Sequence, residues 1–328
     1  MGLGRRLYRG EIDVDFVGRK KLWYSLSGLL LIFSLAGLLI NGLNLGVEFK
    51  GGTVFSFKAP TANIEQVRTE FKTLGVHQPI VQEAGDRWRV TTETLPAEQV
   101  AKIQDAVVKE YKADPKQIDV QQVGASWGGE VANKAWIGLG VFMLAIILYL
   151  SMAFEPKMAL AAIVALVHDL VITAGIYAWS GFEVTPATLL GFLTILGYSL
   201  YDAVVVFDMI KEVTAKLGTT SKKTYTQAAN DALNHTLIRS LNTSLVAILP
   251  VAAILFIGTT LLGAGTLKDL SLALFVGMLV GTYSSLCVAT PLLVTLKERE
   301  PKYQAIARRL ASTGGGAKSA KRAATAKS

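Results

Sequence analysis

The chain has 328 residues, of which 51% are hydrophobic and 18% charged, with a mean hydropathy of +0.41. A soluble domain carries about 25% charged residues, so a wholly soluble globule is excluded and part of the chain is expected in lipid. The net charge of +8 gathers largely at the two ends, where basic flanks set membrane topology and meet anionic lipid, and without interleaved aromatic residues it makes no nucleic-acid surface.

The first apolar run, Leu22–Ile40, follows the basic residues 1–21. It is longer than a signal-peptide core of about 7–15 residues, and no small-x-small cleavage site follows, so it reads as an uncleaved anchor. Residues 41–134 read as an extracytoplasmic domain. Thr53–Lys58 alternates like a strand, and Thr61 is the expected cap of a helix from Asn63 to Leu74 carrying Ile64, Val67 and Phe71 at helical spacing. Pro79–Glu83 and Arg87–Thr92 are short strands around the turn at residues 84–86. Pro96 opens a second helix with Val100, Ile103, Val107 and Tyr111 on one face, and Gln117–Val123 closes the domain. The order strand, helix, strand, strand, helix, strand predicts an α+β ferredoxin-like fold.

Five further runs approach the roughly 20 apolar residues that cross a bilayer: Ala135–Ala153, Ala159–Trp179, Ala187–Ile210, Leu237–Gly258 and Leu270–Leu296. With the first they predict a polytopic α-helical protein of six transmembrane helices. Lys157, and Lys211, Lys216, Lys222 and Lys223 of the loop 211–236, place those turns with both termini in the cytoplasm by the positive-inside rule. The long domain at 41–134 is exempt from that rule. The tail 297–328 is basic, and from Ser312 onward it is Gly, Ala, Ser and Lys, a composition expected to stay disordered.

Ionisable groups inside lipid cost several kcal/mol and mark functional interiors. Asp202 lies well inside the fourth run, with Gly191 and Tyr198 on its helical face. Hydrocarbon favours a neutral carboxyl, so Asp202 is a candidate for loading and releasing a proton; a structural hydrogen bond between helices is the alternative. His168 and Asp169 sit mid-span in the third run, where Asp169 suits a polar interior and His168 either packs or relays protons. Arg239 opens the fifth run with Asn242 and Thr243 on one stripe. It either snorkels to headgroups or pairs with Asp202 until a proton displaces the pair. Cys287 stands alone, which excludes an intramolecular disulfide and a cysteine metal site. No Walker loop, HExxH or Ser-His-Asp pattern is present, and no cofactor or metal is expected, so the chain does not read as an enzyme.

Four stretches carry a resemblance. They are Leu45-Gly46-Val47-Glu48-Phe49-Lys50-Gly51-Gly52-Thr53, His168-Asp169, the run from Gly197-Tyr198-Ser199-Leu200-Tyr201-Asp202 to Asp208, and Leu237-Ile238-Arg239-Ser240-Leu241-Asn242-Thr243-Ser244. Together with the six-span layout they resemble the SecF subunits of the bacterial Sec protein-export machinery, part of the SecD/SecF family. The resemblance implies half of an RND-type bundle in the cytoplasmic membrane, paired with SecD, that uses the proton motive force to promote preprotein export. It also implies work alongside SecYEG, SecA and subunits of the YidC and YajC types. Asp202 and Arg239 match positions of proton coupling, with Asp169 and His168 beside them, Tyr198, Ser199, Asn242 and Thr243 in support, and Gly46, Phe49, Gly51 and Gly52 at the extracytoplasmic junction. The family's usual Asp-Arg-Ile-Arg-Glu reads Asp208-Met209-Ile210-Lys211-Glu212 here, which removes one cytoplasmic charge and leaves a point charge for another. Two rival readings are half of a proton-driven small-molecule exporter and a translocon scaffold that moves no protons.

Overall fold

A computed structural model describes residues 14–77, 79–84, 87–218, 221–258 and 265–312. Among these, six helices are long and apolar enough to cross a membrane: α1 (Lys20–Ile40), α5 (Ala125–Ala153), α6 (Pro156–Ser180), α7 (Pro186–Ala215), α8 (Tyr225–Ala253, continued by a π turn at Ile254–Gly258) and α9 (Gly265–Ser284), which runs through a second π turn, Ser285–Ala289, into α10 (Thr290–Lys297). Helices α6, α7 and α9 are the most enclosed, while α1, α5 and α8 turn most of their apolar surface outward. Leu166, Leu196, Phe207, Leu233 and Leu293 are fully or nearly fully buried at the centre.

Between α1 and α5 lies the α+β unit. Strands β2 (Gly52–Phe57), β3 (Ile80–Ala84), β4 (Arg87–Thr92) and β5 (Asp119–Val123) form an antiparallel sheet in the order β3-β4-β2-β5, with α3 (Ile64–Thr73) and α4 (Ala97–Tyr111) as crossovers. This is the ferredoxin-like order expected. Phe55, Phe57, Val90 and Trp88 meet Val67, Phe71, Ile103 and Val107 in its core. The Trp88 indole N–H is satisfied by the Ala59 carbonyl at 2.9 Å. The opposite sheet face, with Val54, Ser56, Arg87 and Arg89, looks across a cavity of about 770 Å³ towards Glu183, Pro186 and Asp269 of the bundle.

Several boundaries differ from those read along the chain. Asn63, not Thr61, caps α3: its side chain accepts from Gln66 N at 2.8 Å and the Gln66 side chain returns the bond at 3.1 Å. A capping box needs Gln or Glu at the third helical position, and Thr61 has Ile64 there. Helix α5 begins ten residues before Ala135, because Ala125–Lys134 contains no helix breaker strong enough to delay it. The expected loop 211–236 is mostly helical. Helix α7 runs on to Ala215, and a Thr224–Gln227 capping box starts α8. Its polar residues Asn230 and Asn234, one turn apart, hold the backbone of Val14 and Phe16 at 2.9–3.1 Å.

The sixth span is interrupted where Pro291, without an N–H, cannot complete the ladder. The π turn absorbs the mismatch, and Thr290 Oγ1 donates to the Ser285 carbonyl at 3.1 Å. Residues 301–312 are helical and bury Ile306. The expectation of disorder beyond Ser312, and the basic residues before Val14, lie outside the described residues.

Candidate functional site

A helix that is apolar nearly all round gives its few polar side chains no water, so each must find a partner within the bundle. On α7, Ser199 and Asp202 stand three residues apart on the same face. The Asp202 side of that face meets α8 and the π turn. Asp202 is 4% exposed. The Ser240 hydroxyl lies 2.6 Å from its Oδ1 and 2.8 Å from Oδ2, and the Ser285 hydroxyl donates to Oδ2.

One turn away is a second carboxylate. Asp169 on α6 is 0% exposed, and its Oδ2 accepts from Ser199 at 2.6 Å and from Ser284 at 2.7 Å. Its Oδ1 lies 3.0 Å from His168 Nδ1. His168 is also buried, its ring centroid 6.2 Å from that of Tyr283, and its Nε2 has no hydrogen-bond partner among the described residues. Adjacent residues on a helix point about 100° apart, so the two cannot serve one neighbour; they bond to each other instead. One turn before Asp202 on α7, Tyr198 OH donates to Ser244 Oγ at 2.8 Å, and Thr282 Oγ1 lies 2.9 Å from the same oxygen.

Of the two readings of Arg239, the pair with Asp202 is not made. Arg239 is exposed and forms no ion pair with a described residue. Ser240 takes the inward position of α8, and one residue of offset sends Arg239 outward. The stripe of Arg239, Asn242 and Thr243 exists, but Asn242 is exposed and Thr243 bonds only the Arg239 carbonyl, at 2.8 Å. The structure therefore brings together Asp202, Asp169, His168, Ser199 and Tyr198 and leaves Arg239 and Asn242 apart. It adds Ser240, Ser244, Thr282, Ser284 and Ser285. A lone serine in an apolar run is a weak signal; the adjoining Ser284-Ser285 just ahead of Pro291 was the legible one.

The glycine motif forms a joint at one end of the bundle. Leu45 ends β1 (Asn44–Leu45), which pairs in parallel with β6 (Glu183–Val184), and Gly46 N donates to the Val184 carbonyl at 2.8 Å. The single turn α2 (Val47–Lys50) buries Phe49 against Tyr177, Val184 and Phe192. Gly51 (φ 77°) and Gly52 (φ 146°) turn the chain into β2, and a Cβ on Gly52 would lie 2.5 Å from the Thr92 carbonyl. A Cβ on Gly128 of α5 would meet Gly51 N at 2.7 Å. Only glycine permits these approaches. Beside the joint, Arg89 of the sheet reaches Glu183 at 3.3 Å. Burial holds the Glu183 carboxyl above the ordinary glutamate range, with Arg89 opposing and Glu48 and Asp269 adding to the rise.

Comparisons with known proteins agree with this architecture. A family model described as protein export membrane protein SecD/SecF, C-terminal, matches residues 103–299, and the SecD/SecF GG motif matches residues 36–59. The SecF translocase subunit of Streptomyces coelicolor is 49% identical over 94% of this chain and 83% of its own length. That of Mycobacterium tuberculosis is 42% identical over 90% of this chain and 69% of its own. The SecDF subunit of Bacillus subtilis is 30% identical over 88% of this chain, which spans 39% of it. The crystal structure of SecDF from Thermus thermophilus, a translocon-associated membrane protein, superimposes with a TM-score of 0.80 at 31% identity over 90% of this chain, which spans 42% of that one. Six apolar helices, the glycine joint and these matches place the chain in the SecD/SecF family of protein-export membrane proteins, among the SecF translocase subunits.

Proposed function

We propose that the chain works as a SecF subunit beside a SecD companion, in the cytoplasmic membrane with both termini inside, and draws on the proton motive force to promote preprotein export after SecYEG and SecA have begun it. YidC- and YajC-type subunits belong to the same reading. The observation that carries it is the enclosure of Asp202 by serines of two other helices, with no cation paired to it among the described residues. An ionised carboxylate accepts all of those hydrogen bonds. A protonated one must donate one, so a hydroxyl has to turn and the contacts among α7, α8 and the π turn rearrange.

One charge crossing about 100 mV is worth about 2.3 kcal/mol, and a decisive two-state shift takes about 5.5 kcal/mol. Two protons fall just short of that at about 4.6 kcal/mol, and three, at about 6.9 kcal/mol, suffice for one movement. The movement passes from α9 to α6, and from α6 through β6 to the glycine joint and the α+β unit outside. The test is Asp202→Asn in proteoliposomes that hold the companion: preprotein export and proton uptake should both fall at least tenfold. Wild-type values for both would end the reading.

Arg239 acts on the companion's side of the interface in this scheme. It shares its outward face with exposed Asn242 and Val246, and two polar side chains together on a lipid-facing helix are costly unless another protein covers them. Asn242→Cys should cross-link to the companion, and labelling by lipid-soluble reagents instead would place that face in lipid.

A further inference from the structure

Two buried carboxylates served by neighbouring hydroxyls of one helix are more than a single proton site requires. We propose that Asp169 and Asp202 form one two-proton unit, joined by Ser284 and Ser285, whose hydroxyls each swing between a carboxylate and a carbonyl of their own helix. This rests on the reading that Asp202 takes up protons and extends it to Asp169.

Ser284 Oγ lies 2.7 Å from Asp169 Oδ2 and 3.2 Å from the Gly281 carbonyl. Ser285 Oγ bonds Asp202 Oδ2 and lies 3.2 Å from the Thr282 carbonyl. Each serine thus has an alternative acceptor three residues back. When a proton adds to Asp202 Oδ2 it forms an O–H bond that donates to Ser285 Oγ, and the Ser285 hydroxyl rotates to Thr282. The proton comes from hydronium, whose O–H bond breaks as the carboxyl O–H bond forms; no hydrogen bond of the site is lost, and its net charge rises by one as the carboxylate is neutralised. The same exchange at Asp169 moves Ser284 to Gly281.

The two units are linked twice. Ser284 and Ser285 are bonded neighbours at the start of the π turn, and Ser199 and Asp202 share a face of α7. The groups facing the pair are His168 from α6, Ser199 from α7, Ser240 from α8 and the two serines, with Tyr283 beside His168; apart from His168, no base faces it among the described residues. In this arrangement the two carboxylates hang on adjoining hydroxyls of one turn, and the protons belong to the pair rather than to either residue. Asp169 is then a proton-binding residue, and Ser284 and Ser285 are positioning residues.

The experiment is infrared difference spectroscopy during pH titration of the full chain with its co-purified companion in lipid nanodiscs. Asp169→Asn and Asp202→Asn assign each carboxyl band. The expected result is a titrating band from each residue, with the Asp202 midpoint moving by about 1 pH unit or more in Asp169→Asn. An Asp169 band that never titrates, or an Asp202 midpoint unmoved by Asp169→Asn, overturns the proposal. An Asp202 band that never titrates overturns the export mechanism as well, which separates the two failures. Ser284→Ala keeps both carboxylates and covers the case of a variant that does not assemble. It should move both midpoints, in opposite senses, with Ser284→Thr restoring them; a shift confined to Asp169 counts against the coupling.

Discussion

Ser240 shows how much depends on one hydroxyl. It is the only α8 side chain bonded to Asp202 among the described residues, and it touches both carboxylate oxygens. Leaving a buried acceptor without its donor costs about 1–3 kcal/mol, so Ser240→Ala should lower the thermal midpoint of the purified protein, whereas Ser240→Thr keeps the donor and should not. A glycine carries the same kind of weight through its missing atoms. A Cβ on Gly175 of α6 would lie 2.2 Å from Ser34 Cβ and 2.5 Å from its Cα, where α1 crosses. Overpacking of this kind costs about 1–3 kcal/mol. Gly175→Ala should therefore unfold at lower temperature, while Gly28→Ala, with nothing within 4 Å of the new atom, serves as the neutral control.

The short helices are set by their caps and the long ones by their neighbours. In α3 the reciprocal Asn63–Gln66 bonds satisfy two otherwise orphaned N–H groups. Asn63→Ala should destabilise that end by about 1 kcal/mol, seen as faster amide hydrogen exchange in the first turn and unchanged exchange in α4. Helix α8 shows the other case. Asn230 and Asn234 look like loop residues in an apolar context, yet they form a ladder that binds residues 14–17. Capping chemistry is local and can be read from four residues. The partner of an asparagine more than two hundred residues away cannot.

The α+β unit and the bundle meet through the glycine joint and the Arg89–Glu183 pair. Burial raises Glu183 and the Arg89 guanidinium only partly offsets it. In the folded protein Glu183 therefore binds its proton more readily than in the unfolded chain. Its contribution to stability is greatest below the ordinary glutamate range and declines as pH rises from that range through its raised folded value. Glu183→Gln should remove this component, read as a thermal midpoint that changes less between mildly acid and neutral pH than in the wild type. An identical pH profile in the variant would show that the junction does not titrate.

The linear chain by itself determined the membrane spans and the βαββαβ order, because hydropathy over twenty residues and alternation over six are local quantities that survive any packing. It also singled out Asp202 and Asp169, since a carboxylate in an apolar run stands out whatever surrounds it. Tertiary structure alone decided their partners. Helices that are apolar on nearly every side carry little amphipathic signal to set their rotation, and one residue of rotation is about 100°. That difference puts Ser240 on Asp202 and turns Arg239 away, and it was set by how α7, α8 and α9 pack together.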